Sequence, residues 1–205
     1  MDPDAVEIRV LGCLIEKQRT TPDAYPLSLN SLRLACNQTT NREPVVVYEE
    51  REIKAALERL SDRGWARFAS GAGSRALKYR HLFDEALSLS EAEISLLAVL
   101  MLRGPQTAGE LKQRSERLHR LDSTADVTQV LEELARRELV MELDRRPGQK
   151  EERWAQLLGG ETDTAPTAKA ASTSVPAADD RLGAIEDRLE RLESMFEELQ
   201  ARLEP

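Results

Sequence analysis

Residues 27–81 read LSLNSLRLACNQTTNREPVVVYEEREIKAALERLSDRGWARFASGAGSRALKYRH, and the folding of this stretch decides that of the chain. Ser28 is placed to cap a helix whose Leu29, Leu32 and Cys36 recur at helical spacing. The run CNQTTNREP (36–44) is dense in Asn, Gln and Thr, which bond the local backbone and end a helix. A further helix is predicted over about residues 48–63, with Ile53, Ala56, Leu57 and Leu60 on its core stripe and Gly64 at its end. Trp65–Ala69 and Arg75–Tyr79 then read as two strands around the tip SGAGS (70–74). Helix, polar turn, helix and hairpin make the order of a winged helix-turn-helix. Upstream, Val6, Val10, Leu11 and Leu14 predict a helix over residues 4–18, followed by a long connection, RTTPDAYP, broken by two prolines.

The same order returns downstream. Ser90/Glu93 and Thr107/Glu110 both have capping-box spacing, with Gly104-Pro105 between the helices they would start. Val127, Val130, Leu131 and Leu134 repeat the stripe of Ile53, Ala56, Leu57 and Leu60 at an offset of 74 residues. Val140–Leu143 and Arg153–Leu157 supply a second hairpin around DRRPGQKEE, with Trp154 near the place of Tyr79. The expected fold is mainly α with small β-hairpin wings, an α+β chain. Its expected division is a winged-helix domain over 1–83, a second over 84–158, a disordered linker over 159–180 and a coiled-coil helix over 181–205. The segment EISLLAVLMLRG (93–104) is apolar on nearly every side and needs cover on more than one face. Two covers fit: the neighbouring unit of the same chain, or a second copy.

After Leu158 the composition turns small, polar and Pro-containing, which predicts an unfolded linker with an r.m.s. span of about 25 Å. Then Leu182, Ile185, Leu189, Leu192, Phe196, Leu199 and Leu203 alternate steps of three and four. With Leu182 at position a, Arg181 and Arg188 fall at g, and Glu186 and Glu193 at e. Parallel strands would pair each Arg with a Glu of the partner, so a parallel homodimer is expected. The competing readings dock this helix on the chain's own wings, or leave it too short to associate at working concentration.

Composition bounds the function. The formal charge of −8 argues against a generic polyanion binder, but it is unevenly spread. Residues 1–83 hold 13 Lys/Arg against 11 Asp/Glu, residues 84–158 hold 11 against 15, and residues 159–205 hold 5 against 11. Two cysteines, Cys13 and Cys36, each lie on an apolar helical pattern without metal spacing. No leader pattern opens the chain and no run approaches the roughly 18 apolar residues of a membrane span, so a cytoplasmic protein is expected. The histidines, His81 after the first wing and His119 in a basic loop, lack neighbours that would make a metal or catalytic set. SGAGS joins strand to strand, a turn rather than a phosphate cradle. Neither an enzyme nor a cofactor is expected.

Donors suited to double-stranded DNA are more plentiful. Asn37, Gln38, Asn41 and Arg42 lie in the polar turn, and Arg51 and Lys54 on the following helix. Arg75 and Lys78 sit on the first wing, Arg114 and Arg117 cluster in the second unit, and Arg145, Arg146 and Lys150 decorate the second wing. The outward faces of the third helices are mixed in sign: Arg51, Ala55, Glu58 and Asp62 in one, Gln129, Glu132 and Arg136 in the other. Two classes therefore stand: a DNA-binding regulator, or a scaffold whose winged units bind protein.

Several motifs in order are shared with a known group. EKQRTTPDAYPLSLNSLRLACNQTTNREPV (16–45), SGAGSRALKYRH (70–81), LRGPQTAGELKQRSERLH (102–119) and RRPGQKEERW (145–154) closely resemble the YceH-like family of bacterial proteins. The resemblance covers almost all of residues 5–158. It implies two winged-helix domains in tandem and no settled biochemical role. One departure is Tyr48-Glu49-Glu50, where the family tends to have a Ser-type cap.

Overall fold

Asp4 opens the first helix. Its carboxylate accepts the Glu7 backbone N–H at 2.8 Å, and the Glu7 carboxylate accepts that of Asp4 at 3.1 Å, satisfying two free donors of the first turn. The computed structural model describes residues 2–69, 77–145 and 151–159. Helix α1 spans Ala5–Thr20 and buries Val10, Leu11, Cys13, Leu14 and Ile15. A short 3-10 turn, Pro22–Ala24, leads into strand β1 (Leu27–Ser28) and helix α2 (Leu29–Cys36), where the Ser28 hydroxyl accepts the Ser31 N–H. Helix α3 (Glu50–Asp62) has Glu49 as its N-cap, and the Glu52 carboxylate accepts the Glu49 N–H at 2.7 Å. Glu52 reaching back thus compensates for the missing Ser-type cap. Ile53, Ala56, Leu57 and Leu60 are all buried, as their spacing predicted.

Strands β2 (Ala66–Ala69) and β3 (Lys78–His81) form the hairpin, with Ala66 opposite His81 and Ala69 opposite Lys78. The second strand, described from Lys78, reaches past Tyr79 to His81. Tyr79 and His81 are its inward positions, both buried, so His81 belongs to the strand rather than following it. The sequence also hid a third strand. β1 pairs antiparallel with β3, Leu27 opposite Tyr79, and the sheet order is β1-β3-β2. The tip SGAGS and Arg75 lie outside the described residues.

Helix α4 (Phe83–Leu87) sets Phe83 edge-on to Trp65, with ring centroids 4.9 Å apart, and links this half to the next. The second half comprises α5 (Glu91–Arg103), α6 (Ala108–Ser115), α7 (Thr124–Arg136) and the antiparallel pair β4 (Val140–Leu143) and β5 (Arg153–Gln156). Both predicted capping boxes form, at Ser90/Glu93 and Thr107/Glu110. The repeat extends to backbone detail. α7 and β4 follow α3 and β2 at an offset of 74 residues, and the bridge Gln106–Trp154 stands where Leu27 pairs with Tyr79. After α3, Gly64 N–H donates to Ser61 and Trp65 N–H to Leu60; after α7, Glu138 donates to Ala135 and Leu139 to Leu134. Gly64 takes φ +74° there, which costs glycine nothing, but Glu138 holds the same left-handed turn at φ +56°.

The two halves share one core. Residues 94–102 of α5 are all buried, and α1 lies along the face that α6, α7 and β5 leave open. Gly12 permits the approach: a Cβ there would stand 3.1 Å from Leu102 and Met101. Of the two covers the apolar segment allowed, the chain's own first half is the one in place. Polar bonds brace the seam. Glu43 N–H donates to the Leu102 carbonyl at 2.8 Å, and Arg19 pairs with Glu91 at 2.8 Å. Everything described falls within one compact unit, Met1–Thr162. The heptad seam from Leu182 to Leu203 and nearly all of the predicted linker lie outside the described residues. Among the described residues no helix is long and apolar enough to cross a membrane.

Candidate nucleic-acid interface

The polar turn between α2 and α3 is built from inside. Asn37 spends its amide on the loop's far end, donating to the Tyr48 carbonyl at 2.9 Å and accepting the Tyr48 N–H at 2.8 Å. Arg42 points into the protein with a fully inaccessible side chain. It donates to the Ala35 carbonyl (3.1 Å), to both Glu16 carboxylate oxygens (3.1 and 2.6 Å), to the Asn41 carbonyl (2.8 Å) and to Gln38 Oε1 (2.8 Å). A second buried arginine, Arg9, donates to the carbonyls of Cys36 (3.2 Å) and Pro44 (2.7 Å). Of the four turn residues expected to offer donors outward, Asn37 and Arg42 are committed to holding the loop, and the Gln38 oxygen is tied to Arg42. Asn41 alone is exposed, at a left-handed φ of +61°, and its Oδ1 accepts from Arg103 across the seam.

On α3, Arg51 and Lys54 are exposed, and among the described residues neither has a carboxylate within ion-pair distance. Arg33 on α2, which donates to the Asn30 side chain, and Arg67 and Lys78 on the hairpin also lack an acidic partner there. The other described arginines of this half are bound. Arg59 pairs with Asp4 (2.6 Å) and Glu7 (2.9 Å), Arg63 with Glu7 (3.2 Å), and Arg80 with Glu85 (2.7 Å). Burial would raise the Glu7 pKa, but bonds from Arg59, the Asp4 backbone and Arg63 outweigh it and hold it below the usual range. Acidic groups also face the hairpin: the Tyr79 phenol is pushed up by burial first, then by Glu58 and Glu50. Apolar side chains are unusually open nearby, with Val47 81% exposed, Leu77 62% and Leu34 58%.

The equivalent face of the second half is neutralised. Arg145 pairs with Glu152 at 2.8 Å, Arg136 with Glu133 at 3.8 Å and Arg137 with Glu93 at 3.0 Å. Two carboxylates also meet on this hairpin. Burial and the facing Glu152 raise the Glu142 pKa, while hydrogen bonds from Glu142 and Arg145 lower that of Glu152. Arg146 and Lys150 lie outside the described residues. Arg114 and Arg117 are not on the α7 face at all; they line a groove at the seam, together with Arg103, which in the sequence is only the end of an apolar helix.

Of the cysteines and histidines, Cys13, Cys36 and His81 are packed inside, whereas His119 is partly exposed, its Nδ1 3.7 Å from a Glu91 carboxylate oxygen. Burial presses the His81 pKa down to about 4; its Nε2 meets Gln18 Oε1 at 2.6 Å, and its backbone N–H donates to the Tyr25 hydroxyl at 2.8 Å. Among the described residues no three His, Cys, Asp or Glu side chains are gathered as metal ligands.

Comparison with known proteins places this chain among relatives. Residues 4–149 match the family described as "Protein of unknown function, DUF480". The chain is similar to a UPF0502 protein of Geobacter sulfurreducens, 52% identical over 168 residues, which are 81% of this chain and 76% of that one. A UPF0502 protein of Serratia proteamaculans is 47% identical over 173 residues, 81% of each chain. One from Xanthomonas campestris pv. campestris is 45% identical over 175 residues, 85% of this chain and 78% of the relative.

Proposed function

The chain belongs to the DUF480 family, and from that footing we propose that it is a DNA-binding protein of two tandem winged-helix units, with the first unit making the contact. The order helix, strand, helix, turn, helix, hairpin supports the winged-helix reading of both halves. In such a unit the third helix enters the major groove and the hairpin reaches neighbouring phosphates. The observation that carries the proposal is where unpaired cations collect. Arg33, Arg51, Lys54, Arg67 and Lys78, none with a carboxylate partner among the described residues, all belong to α2, α3 and the first hairpin. The positions 74 residues on from Arg51, Lys54 and Arg67 carry no cation (Ala125, Thr128 and Met141), and Arg136, Arg137 and Arg145 on that side of the second half are held by carboxylates.

Glu50 and Glu58 stand on the same helix, so the contact is expected to rest on phosphates and to be modest. Micromolar affinity at low salt is the order to expect. The C-terminal heptad seam would pair two chains and bring two first-unit faces to one duplex. Fluorescence anisotropy of a labelled random duplex with the full chain tests this. Saturable binding at low ionic strength supports the proposal, and no binding there removes it. A second reading, in which this face binds protein, is favoured by the exposed Leu34, Val47 and Leu77. It predicts no affinity for the duplex at any ionic strength.

A further inference from the structure

The seam between the halves holds a groove of about 370 Å³ whose wall is donor-rich and acceptor-poor. Three guanidinium groups line it from two segments: Arg103 from the end of α5, and Arg114 and Arg117 from α6 and the turn after it. Asn41 enters from the α2–α3 loop and Gln113 from α6. The one carboxylate in the lining, Glu16 of α1, is already bound by Arg42 at 2.6 Å from behind.

The charges in the wall are poorly compensated. Among the described residues Arg117 has no hydrogen-bond or ion-pair partner, and Arg103 has the Asn41 side chain but no carboxylate. Arg114 meets Glu110 at 3.4 Å, and that carboxylate is shared with Arg153 at 3.3 Å. Burial lowers the pKa of Arg103, and the neighbouring charges of Arg114 and Arg42 lower it further, which Glu16 only partly offsets. Helix dipoles account for a cation at the end of α5 and in the last turn of α6. They do not account for Arg117, which lies beyond α6 and adds like charge to the same space.

We propose that this groove is a binding site for a small anion carrying a phosphate or diphosphate group, held between the two halves of the chain. Guanidinium groups match phosphate oxygens with paired donors, and amides such as those of Asn41 and Gln113 can supply neutral ones. The volume suits a ligand up to about the size of a nucleotide. No described residue of α3, α7 or either hairpin lines the groove, so its occupant need not be the duplex. Because the wall draws on both halves, an occupant would also tie them together. The site does not depend on the DNA-binding reading.

The test is calorimetric titration of the full chain with inorganic pyrophosphate at constant ionic strength. One saturable site per chain is expected. Arg117→Ser and Arg114→Gln, both at surface positions, should each weaken it by about tenfold or more. Arg120→Ser, which removes an exposed charge outside the groove, should leave it unchanged. Absence of saturable binding overturns the proposal, and so does an equal loss in Arg120→Ser, which would mean general charge attraction. Labelled duplex separates the two sources of phosphate. Unchanged duplex affinity in Arg117→Ser, with no displacement of duplex by pyrophosphate, supports a small ligand. Competition between them, with both weakened in Arg117→Ser, assigns the groove to the DNA backbone and overturns the small-ligand proposal.

Discussion

Replacing His81 with Gln should remove a pH dependence of stability that can be worked from its surroundings. The imidazole is fully inaccessible, packed by α1 through Gln18, by the Pro22–Ala24 connection through Tyr25 and by α4 through Asp84, 3.4 Å from Nδ1. Burial is the main cause that lowers its pKa from 6.5 to about 4; Arg19 and Arg80 act the same way, and Asp84 opposes them. The folded-state pKa is depressed, so the unfolded chain takes up the proton first. Stability is therefore complete above the unfolded value and is lost as pH falls from 6.5 towards 4. At 1.36 kcal/mol per unit, the loss between pH 8 and pH 5 comes to about 2 kcal/mol. Urea unfolding followed by circular dichroism at several pH values, on the native chain and on His81→Gln, measures it. The difference in unfolding free energy between the two should change by about 2 kcal/mol over that range, while shared carboxylate effects cancel. A difference that stays flat with pH would refute the burial argument.

Three other outcomes are expected. Glu138→Gly should raise the unfolding free energy by about 1 kcal/mol by relieving the left-handed turn that Gly64 makes freely, as read by the shift of the urea midpoint. Arg42→Met should lower stability by about 3 kcal/mol, because it strands the Glu16 carboxylate and the loop carbonyls, yet leave duplex affinity per folded chain unchanged. Leu192→Glu, at a seam position of the C-terminal heptads, should turn a dimer into a monomer by sedimentation; an unchanged mass would count against the parallel pairing.

Much of this fold is legible in the sequence, for identifiable reasons. The stripe of Ile53, Ala56, Leu57 and Leu60 is local and periodic and wholly buried, and its echo at Val127, Val130, Leu131 and Leu134 is buried except for Val130, which is partly so. Capping boxes such as Ser90/Glu93 are equally local. What escaped depends on distant partners. β1 is two residues long, too short for alternation, and exists because Leu27 meets Tyr79 52 positions away. Arg42 looks in sequence like any loop arginine; its inward turn depends on Glu16, 26 residues upstream. Arg103 closes an apolar helix, and its role at the groove emerges only once α6 brings Arg114 and Arg117 beside it. The candidate interface was therefore legible as a region and not as a set of residues.

Whether the first half contacts DNA through α3 and its hairpin can be read from the salt dependence of duplex binding. The full chain is compared with Arg51→Ala/Lys54→Ala and with Arg136→Ala/Arg145→Ala. Each phosphate partner removed should reduce the slope of log affinity against log salt by about 0.9. The first pair should therefore flatten it by up to about 2, and the second should leave it alone. Equal slopes in all three proteins, or no binding at the lowest salt, would contradict a first-half contact.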